Sequence, residues 1–235
     1  MIDYYQKYIK YRTKYLNLQN DDIMVGGKPK NNKKLLMDKI VIHISGPSGA
    51  GKTTLGNKLQ KKFGNKIVVV DIDDLRTEFV KDRYGGYQNV YGVKNFVWDK
   101  EAYQQWIDNY VKSISKPLVF VGLNHMPWWG KKLYYDMHAD YKFYIDMDTA
   151  KIFGQKCGRF LADLVQNRDP IISDIIDNET KTIKQLQLGI KHECGYAETD
   201  KMNDVWNRDY KSQNYVFMTS NDIYNNVSKI LKKYI

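Results

Sequence analysis

From Lys39 onward the chain alternates short apolar runs with longer stretches in which apolar residues recur every three or four positions. Ile40-Val41-Ile42-His43-Ile44 is almost unbroken in apolar character, the pattern of a strand covered on both faces. Lys66–Asp71, Pro117–Val121, Tyr141–Asp146 and Tyr215–Met218 read as further strands, rich in β-branched and aromatic residues. Between them the periodicity predicts helices over Thr53–Phe63, Asp99–Ser115, Thr149–Gln166, Thr180–Cys194 and Ile223–Leu231. Leu55 and Leu59 share a face of the first; Phe153, Phe160, Leu161 and Leu164 stand at helical spacing on the third and read as core. Residues 84–97, rich in Gly, Tyr and Asn, follow neither period and predict a loop. Strands separated by helices imply a parallel sheet with right-handed crossovers. The expected fold is α/β: a three-layer sandwich around a central parallel sheet of about five strands.

Ahead of this domain lies a different kind of segment. Tyr4, Tyr8, Tyr11, Tyr15 and Leu18 alternate spacings of four and three, which predicts an amphipathic helix over residues 3–18. Asn20-Asp21-Asp22 and the run Gly26–Asn32 then read as a linker, so the chain divides into a leader with its linker, 1–34, and a domain, 35–235. Composition agrees: 235 residues with 43% hydrophobic content suit one packed domain and a small appendage. No apolar run approaches the roughly 20 residues of a membrane span. The net charge of +10 attracts polyanions. Part of it, however, sits in the first 40 residues, among them Lys7, Lys10, Arg12, Lys14, Lys28, Lys30, Lys33 and Lys34. Cys157 and Cys194 fit no metal spacing and are expected to be reduced thiols rather than a disulfide.

The chemistry begins where the first strand ends. Gly46-Pro47-Ser48-Gly49-Ala50-Gly51-Lys52-Thr53 meets every fixed position of G-x-x-x-x-G-K-[ST] between a strand and a helix, the signature of a P-loop. Glycines let the backbone curl so that N–H groups point at phosphate oxygens, and the helix start adds its dipole. Gly46, Ser48, Gly49, Ala50, Gly51, Lys52, Thr53 and Thr54 are therefore expected to bind a nucleoside triphosphate. Lys52 would carry charge to the β/γ-phosphates and Thr53 a hydroxyl to Mg²⁺. After the second strand comes Asp71-Ile72-Asp73-Asp74-Leu75-Arg76. A carboxylate at the ligand-binding edge of such a sheet can take a proton from an attacking hydroxyl, and an arginine one turn on can hold an anion. The plainer reading is a helix start capped by Asp73.

These residues resemble P-loop kinases of the nucleoside/nucleotide-kinase-like group. Asp73-Asp74-Leu75-Arg76 is similar to the Asp-x-x-Arg signature of polynucleotide 5′-hydroxyl kinases, adenylylsulfate kinases and zeta-toxin-like kinases, and the resemblance spans roughly residues 39–235. It implies ATP and Mg²⁺ as cofactors, Asp73 as base for the acceptor hydroxyl and Arg76 as a contact to acceptor phosphate or sulfate. It also implies a lid after the fourth strand, here bearing Lys156, Arg159 and Arg168, whose arginines would neutralise charge in the transition state. One departure stands out. Such kinases often carry an acid at the third strand's end, whereas this strand runs into Val121-Gly122-Leu123-Asn124-His125. Asn124 or His125 could bind a metal-bound water there, or Asp71 could supply the missing charge. Met126-Pro127-Trp128-Trp129 reads as a buried wall or a platform for a base.

The Tyr/Lys-rich opening, Tyr4 to Leu16, closed by Gly26-Gly27, resembles the leader of many proteins of giant DNA viruses of amoebae. That resemblance implies a viral origin, a place in the host cytoplasm or virus factory, and a virion partner bound through residues 3–18. Two functions follow. The first is an ATP-dependent phosphotransferase acting on a hydroxyl acceptor: a nucleoside or nucleotide, another small molecule, or a polynucleotide 5′-end. Lys52, Asp73, Arg76, Arg159 and Arg168 would carry its catalysis, with Thr53 and Asp71 at the metal. The second is a non-catalytic or weakly hydrolytic nucleotide-binding protein of virion assembly.

Overall fold

A computed structural model describes residues 39–90, 96–126, 133–166, 184, 186–188, 190, 191 and 194–235. Five strands form one sheet in which every neighbouring pair is parallel: β1 (Val41–Ser45), β2 (Val68–Asp71), β3 (Leu118–Val121), β6 (Tyr141–Ile145) and β7 (Val216–Met218). Their spatial order is β2-β3-β1-β6-β7, which puts β1 at the centre. A small antiparallel pair, β4 (His125–Met126) and β5 (Leu133–Tyr134), stands apart. The helices are α1 (Lys52–Phe63), α2 (Ile72–Tyr84), α3 (Lys100–Ser113), α4 (Thr149–Gln166), α5 (Tyr196–Ser212) and α6 (Ser220–Leu231). A three-layer α/β sandwich with five parallel strands is thus the observed architecture.

The unbroken apolar strands follow from this layering, because each central strand is covered on both faces. Ile42 and Ile44 of β1, with Val119 and Val121 of β3, pack against Leu55 and Leu59 of α1 and Ile223 and Val227 of α6. The alternate residues, Val41, Leu118 and Phe120, face Ile72, Leu75 and Phe79 of α2 and Tyr103 and Ile107 of α3. A third cluster joins Tyr144 of β6, Tyr210 of α5 and Tyr215, which precedes β7.

Several expectations need correction. Cys157 of α4 and Cys194 form a disulfide, their Cα atoms 4.6 Å apart; the chain folds back over 37 positions to bring them together, which spacing alone does not reveal. Asp71, not Asp73, caps α2: its side chain accepts the N–H of Asp73, so the helix starts at Ile72. Residues 84–97 are not all loop, since Tyr84 closes α2 and Tyr87–Asn89 form a 3₁₀ turn. The long polar helix α5 was not expected at all. The leader of 3–18, the linker, Pro127–Trp129 and Arg168 lie outside the described residues, as does most of the helix expected over Thr180–Cys194.

His43 interrupts the apolar run of β1 and acts as a strut. It is fully buried; Nε2 pairs with the carbonyl of Gly122 at 3.0 Å and Nδ1 with the Tyr215 hydroxyl. For both pairings to hold in a neutral ring, Nε2 donates and Nδ1 accepts from the tyrosine. Burial lowers its pKa to about 4, helped by the charges of Lys142 and Lys52 and opposed by the bond to Gly122. Between that value and the ordinary 6.5 the unfolded chain binds the extra proton, so stability is full above about pH 6.5 and falls as pH drops towards 4. The loss is on the order of 3 kcal/mol. A His43→Gln variant should start from a lower melting temperature yet lose less on acidification from about pH 7 to 4.5. Parallel pH profiles for the two proteins would contradict the strut.

Candidate functional site

The site forms at the carboxyl edge of the sheet, where β3 and β6 flank β1 and the connections depart to opposite sides. Open α/β sheets bind ligands in the crevice at such a point. Gly46 leaves β1 so close to β6 that a Cβ would stand 3.0 Å from Cβ of Ile145. Gly49 and Gly51 adopt φ values of 85° and 82°, in the left-handed region that side chains rarely tolerate. The Ala50 N–H donates to the Pro47 carbonyl at 3.1 Å, and the curled chain turns directly into α1.

Lys52 opens that helix and folds back under the loop, its Nζ donating to the carbonyls of Gly46 and Pro47 at 2.9 and 2.8 Å. Burial lowers its pKa to about 8, against the raising pull of Asp73 and Asp71. Thr53 Oγ1 donates to Asp71 Oδ2 at 2.9 Å. Burial and the neighbouring charge of Asp73 raise the pKa of Asp71. The Thr53–Asp71 contact crosses the end of β3, which lies between β1 and β2 in the sheet. Gly122 stands just past that end with φ 137°; a Cβ there would lie 3.0 Å from Cβ of Ile72 and 3.5 Å from Oδ1 of Asp71.

Asp73 sits on the first turn of α2 with a largely exposed side chain, while Arg76, one turn on, is buried. Arg76 Nη1 donates to Asp73 Oδ1 at 2.8 Å, and Nη2 donates to the carbonyls of Leu123 at 3.1 Å and His125 at 3.4 Å. Burial, then the charges of Asp71, Asp73 and Glu78, push the Asp74 carboxyl up to about 6. Asn124 is spent inside the protein: Nδ2 donates to the Tyr135 carbonyl and Oδ1 accepts from the Tyr210 hydroxyl, both at 2.8 Å. His125 is buried beside the rings of Tyr134 and Trp206.

From the other side α4 reaches the loop. Arg159 Nη2 donates to Ser48 Oγ at 3.3 Å. Lys156, buried one turn before it, has its Cγ 3.3 Å from where a Cβ on Gly49 would stand. The structure therefore gathers Ser48, Lys52, Thr53, Asp71, Asp73, Arg76 and Arg159 at one edge. Among the described residues no group of three or more His, Cys, Asp or Glu side chains is placed to hold a metal alone. Sequence reasoning does not single out Gly122, whose spacing carries no mark, or His43, whose signal is a lone polar residue inside an apolar strand.

Residues 26–114, a span that takes in the loop, α1, β2 and α2, match the family model described as Zeta toxin, a P-loop kinase-like family. The toxin PezT of Streptococcus pneumoniae serotype 4 is 32% identical over 83 residues, which are 35% of this chain and 32% of that protein. The chain thus matches about a third of the length of this curated relative.

Gly122 and the helical Gly158 of α4 offer a paired test. Gly122→Ala meets both a positive φ and a crowded Cβ, whereas a Cβ on Gly158 meets nothing within 4 Å. The first substitution should cost roughly 1–3 kcal/mol and lower the melting temperature by several degrees. The second should hold or raise it, since Ala favours helix by about 1 kcal/mol. Equal effects in thermal melts would show that Gly122 is not sterically required.

Proposed function

We propose that this chain is a Mg²⁺- and ATP-dependent phosphotransferase that moves the γ-phosphoryl group to the hydroxyl of an acceptor. The observation that best supports this reading is the Thr53–Asp71 pair beside an exposed Asp73 held by a buried Arg76, all against a glycine-lined loop. In this reading the triphosphate lies in the loop and Lys52 turns its ammonium from the two loop carbonyls to phosphate oxygen. Thr53 and Asp71 offer hard oxygen donors, the chemistry Mg²⁺ takes when phosphates complete its shell. Bound there, Mg²⁺ would neutralise charge on the phosphate oxygens. The carboxylate that other such kinases place after the third strand is then supplied by β2.

Asp73 accepts the proton of the acceptor hydroxyl as the new O–P bond forms and the bond from the γ-phosphorus to the β–γ bridging oxygen breaks, that oxygen leaving with ADP. Arg76 is assigned a positioning role, because its guanidinium is turned inward to Asp73 and two carbonyls rather than outward to an acceptor anion. Arg159, already within reach of Ser48, is suited to charge on the transferring group, and Arg168 is expected to join it.

The direct experiment is an acceptor screen with γ-labelled ATP over nucleosides, nucleotides, sugars, nucleotide-linked sugars and 5′-hydroxyl oligonucleotides. Label should move to one acceptor class and fail to move with Lys52→Ala. Release of inorganic phosphate alone, whatever acceptor is offered, would favour a hydrolytic or assembly role. Once an acceptor is known, Asp73→Asn should cut transfer by roughly 10²–10⁴-fold while leaving ATP affinity within a few-fold. An undiminished rate would remove Asp73 from the chemistry.

A further inference from the structure

Near the end of α5 a single hydroxyl reaches the segment that follows β3. Tyr210 is fully buried, its ring centroid 4.8 Å from that of Tyr215, 4.9 Å from Tyr144 and 5.9 Å from Tyr134. Wedged among three rings, the side chain has one direction in which to point its hydroxyl. That hydroxyl donates to Asn124 Oδ1 at 2.8 Å and accepts the Asn124 N–H at 3.3 Å. Burial raises its pKa, so it keeps the proton that the double role needs.

The direction of these bonds is fixed by chemistry. Asn124 Nδ2 donates to the Tyr135 carbonyl, which can only accept, so the amide oxygen is the atom turned to Tyr210. The Asn124 carbonyl in turn accepts the Tyr135 N–H at 2.9 Å. The peptide joining Leu123 to Asn124 carries the contact onward. It is planar and trans, so its N–H and C=O point in opposite directions. The N–H goes to Tyr210, and the Leu123 carbonyl accepts Arg76 Nη2 at 3.1 Å. One rigid group thereby links α5 to α2. The His125 carbonyl also takes Nη2, at 3.4 Å, and Nη1 holds Asp73 Oδ1 at 2.8 Å. Satisfying a buried hydroxyl needs only a partner of some kind. It does not require that both its bonds end on the residue whose flanking carbonyls carry Arg76.

We propose that Tyr210 is a positioning residue for Asp73, acting through the Leu123–Asn124 peptide and the Arg76 guanidinium. What Asp73 does once positioned rests on the phosphotransferase reading; the linkage itself does not. Without the hydroxyl the peptide can tilt, Arg76 Nη2 loses its nearer acceptor, and Asp73 is held by a guanidinium that turns more easily. The loss falls on the acceptor step and not on the triphosphate, since Lys52 and Thr53 are held by the loop and by Asp71.

Two measurements on the full chain test it. In side-chain nitrogen NMR of the arginine-labelled protein, Arg76, assigned by its loss in Arg76→Lys, should show separate Nη1 and Nη2 signals. Tyr210→Phe keeps the ring and should merge them by letting the guanidinium turn faster. Tyr134→Phe, which removes the hydroxyl bound to Asp209 beside the same cluster, should leave them apart. Merged signals already in the wild type, an unmoved Arg76 in Tyr210→Phe, or the same change in Tyr134→Phe would each overturn the proposal, whether or not the chain transfers phosphate. With an acceptor in hand, Tyr210→Phe should lower kcat by roughly 3–10-fold at unchanged ATP affinity. It should add nothing in the Asp73→Asn background. A further loss there, or weaker ATP binding, would show that the hydroxyl acts elsewhere and would likewise overturn it. Separate wild-type signals that merge in Tyr210→Phe, with no acceptor taking label, would uphold the linkage and count against the phosphotransferase reading alone.

Discussion

The hydrogen bond from Thr53 to Asp71 passes across the end of a strand that lies between them, and it has room because that strand ends in a glycine. β1 delivers the loop and, through α1, the threonine; β2 delivers the aspartate; β3 must step aside. Gly122 does so by carrying no side chain and by taking a φ that L side chains avoid. His43 reinforces the arrangement from β1 by holding the Gly122 carbonyl. Gly122 thereby leaves room for a carboxylate from the next strand, Asp71, to reach Thr53.

Electrostatics around this bond are balanced by position. Asp71, Asp73 and Asp74 crowd the first turn of α2, where the helix dipole favours negative charge, yet their mutual repulsion and burial raise Asp71 and Asp74. Opposite them stand Lys52, Arg76 and Arg159. Arg76 is the cation turned inward, and its bonds to two carbonyls beyond β3 tie the orientation of Asp73 to the sheet rather than to solvent. A surface ion pair would not fix a carboxylate this way, because two flexible exposed side chains gain little from pairing. A buried guanidinium with several acceptors has one geometry to adopt.

Much of this was legible in the residues. Four of the five strands lay within their apolar runs, β1 passed the end of its own by one residue, Ser45, and Thr149–Gln166 matched the helix expected from its periodicity. The loop motif placed Lys52 and Thr53, and its distance to Asp73-x-x-Arg76 placed the second half of the site. What stayed hidden depends on contacts distant in sequence. Strand order is invisible locally, so nothing marked Gly122 as the residue between Thr53 and Asp71. Arg76 looks like a surface arginine until Leu123 and His125 fold over it. Cys157 and Cys194 meet because α4 and the segment before α5 return to each other. Helix α5, crowded with Asp, Asn, Lys and Arg, offers few apolar residues to reveal its period.

The account turns on Asp71 serving the metal and Asp73 serving the acceptor, two carboxylates two residues apart with different work. The most direct measurement is the dependence of ATP affinity on Mg²⁺, by calorimetry, in the wild type, Asp71→Asn and Asp73→Asn. The account predicts that Mg²⁺ tightens ATP binding in the wild type and in Asp73→Asn, and that Asp71→Asn loses most of that gain, on the order of tenfold or more. Full retention of the Mg²⁺ effect in Asp71→Asn, or its loss in Asp73→Asn instead, would contradict it.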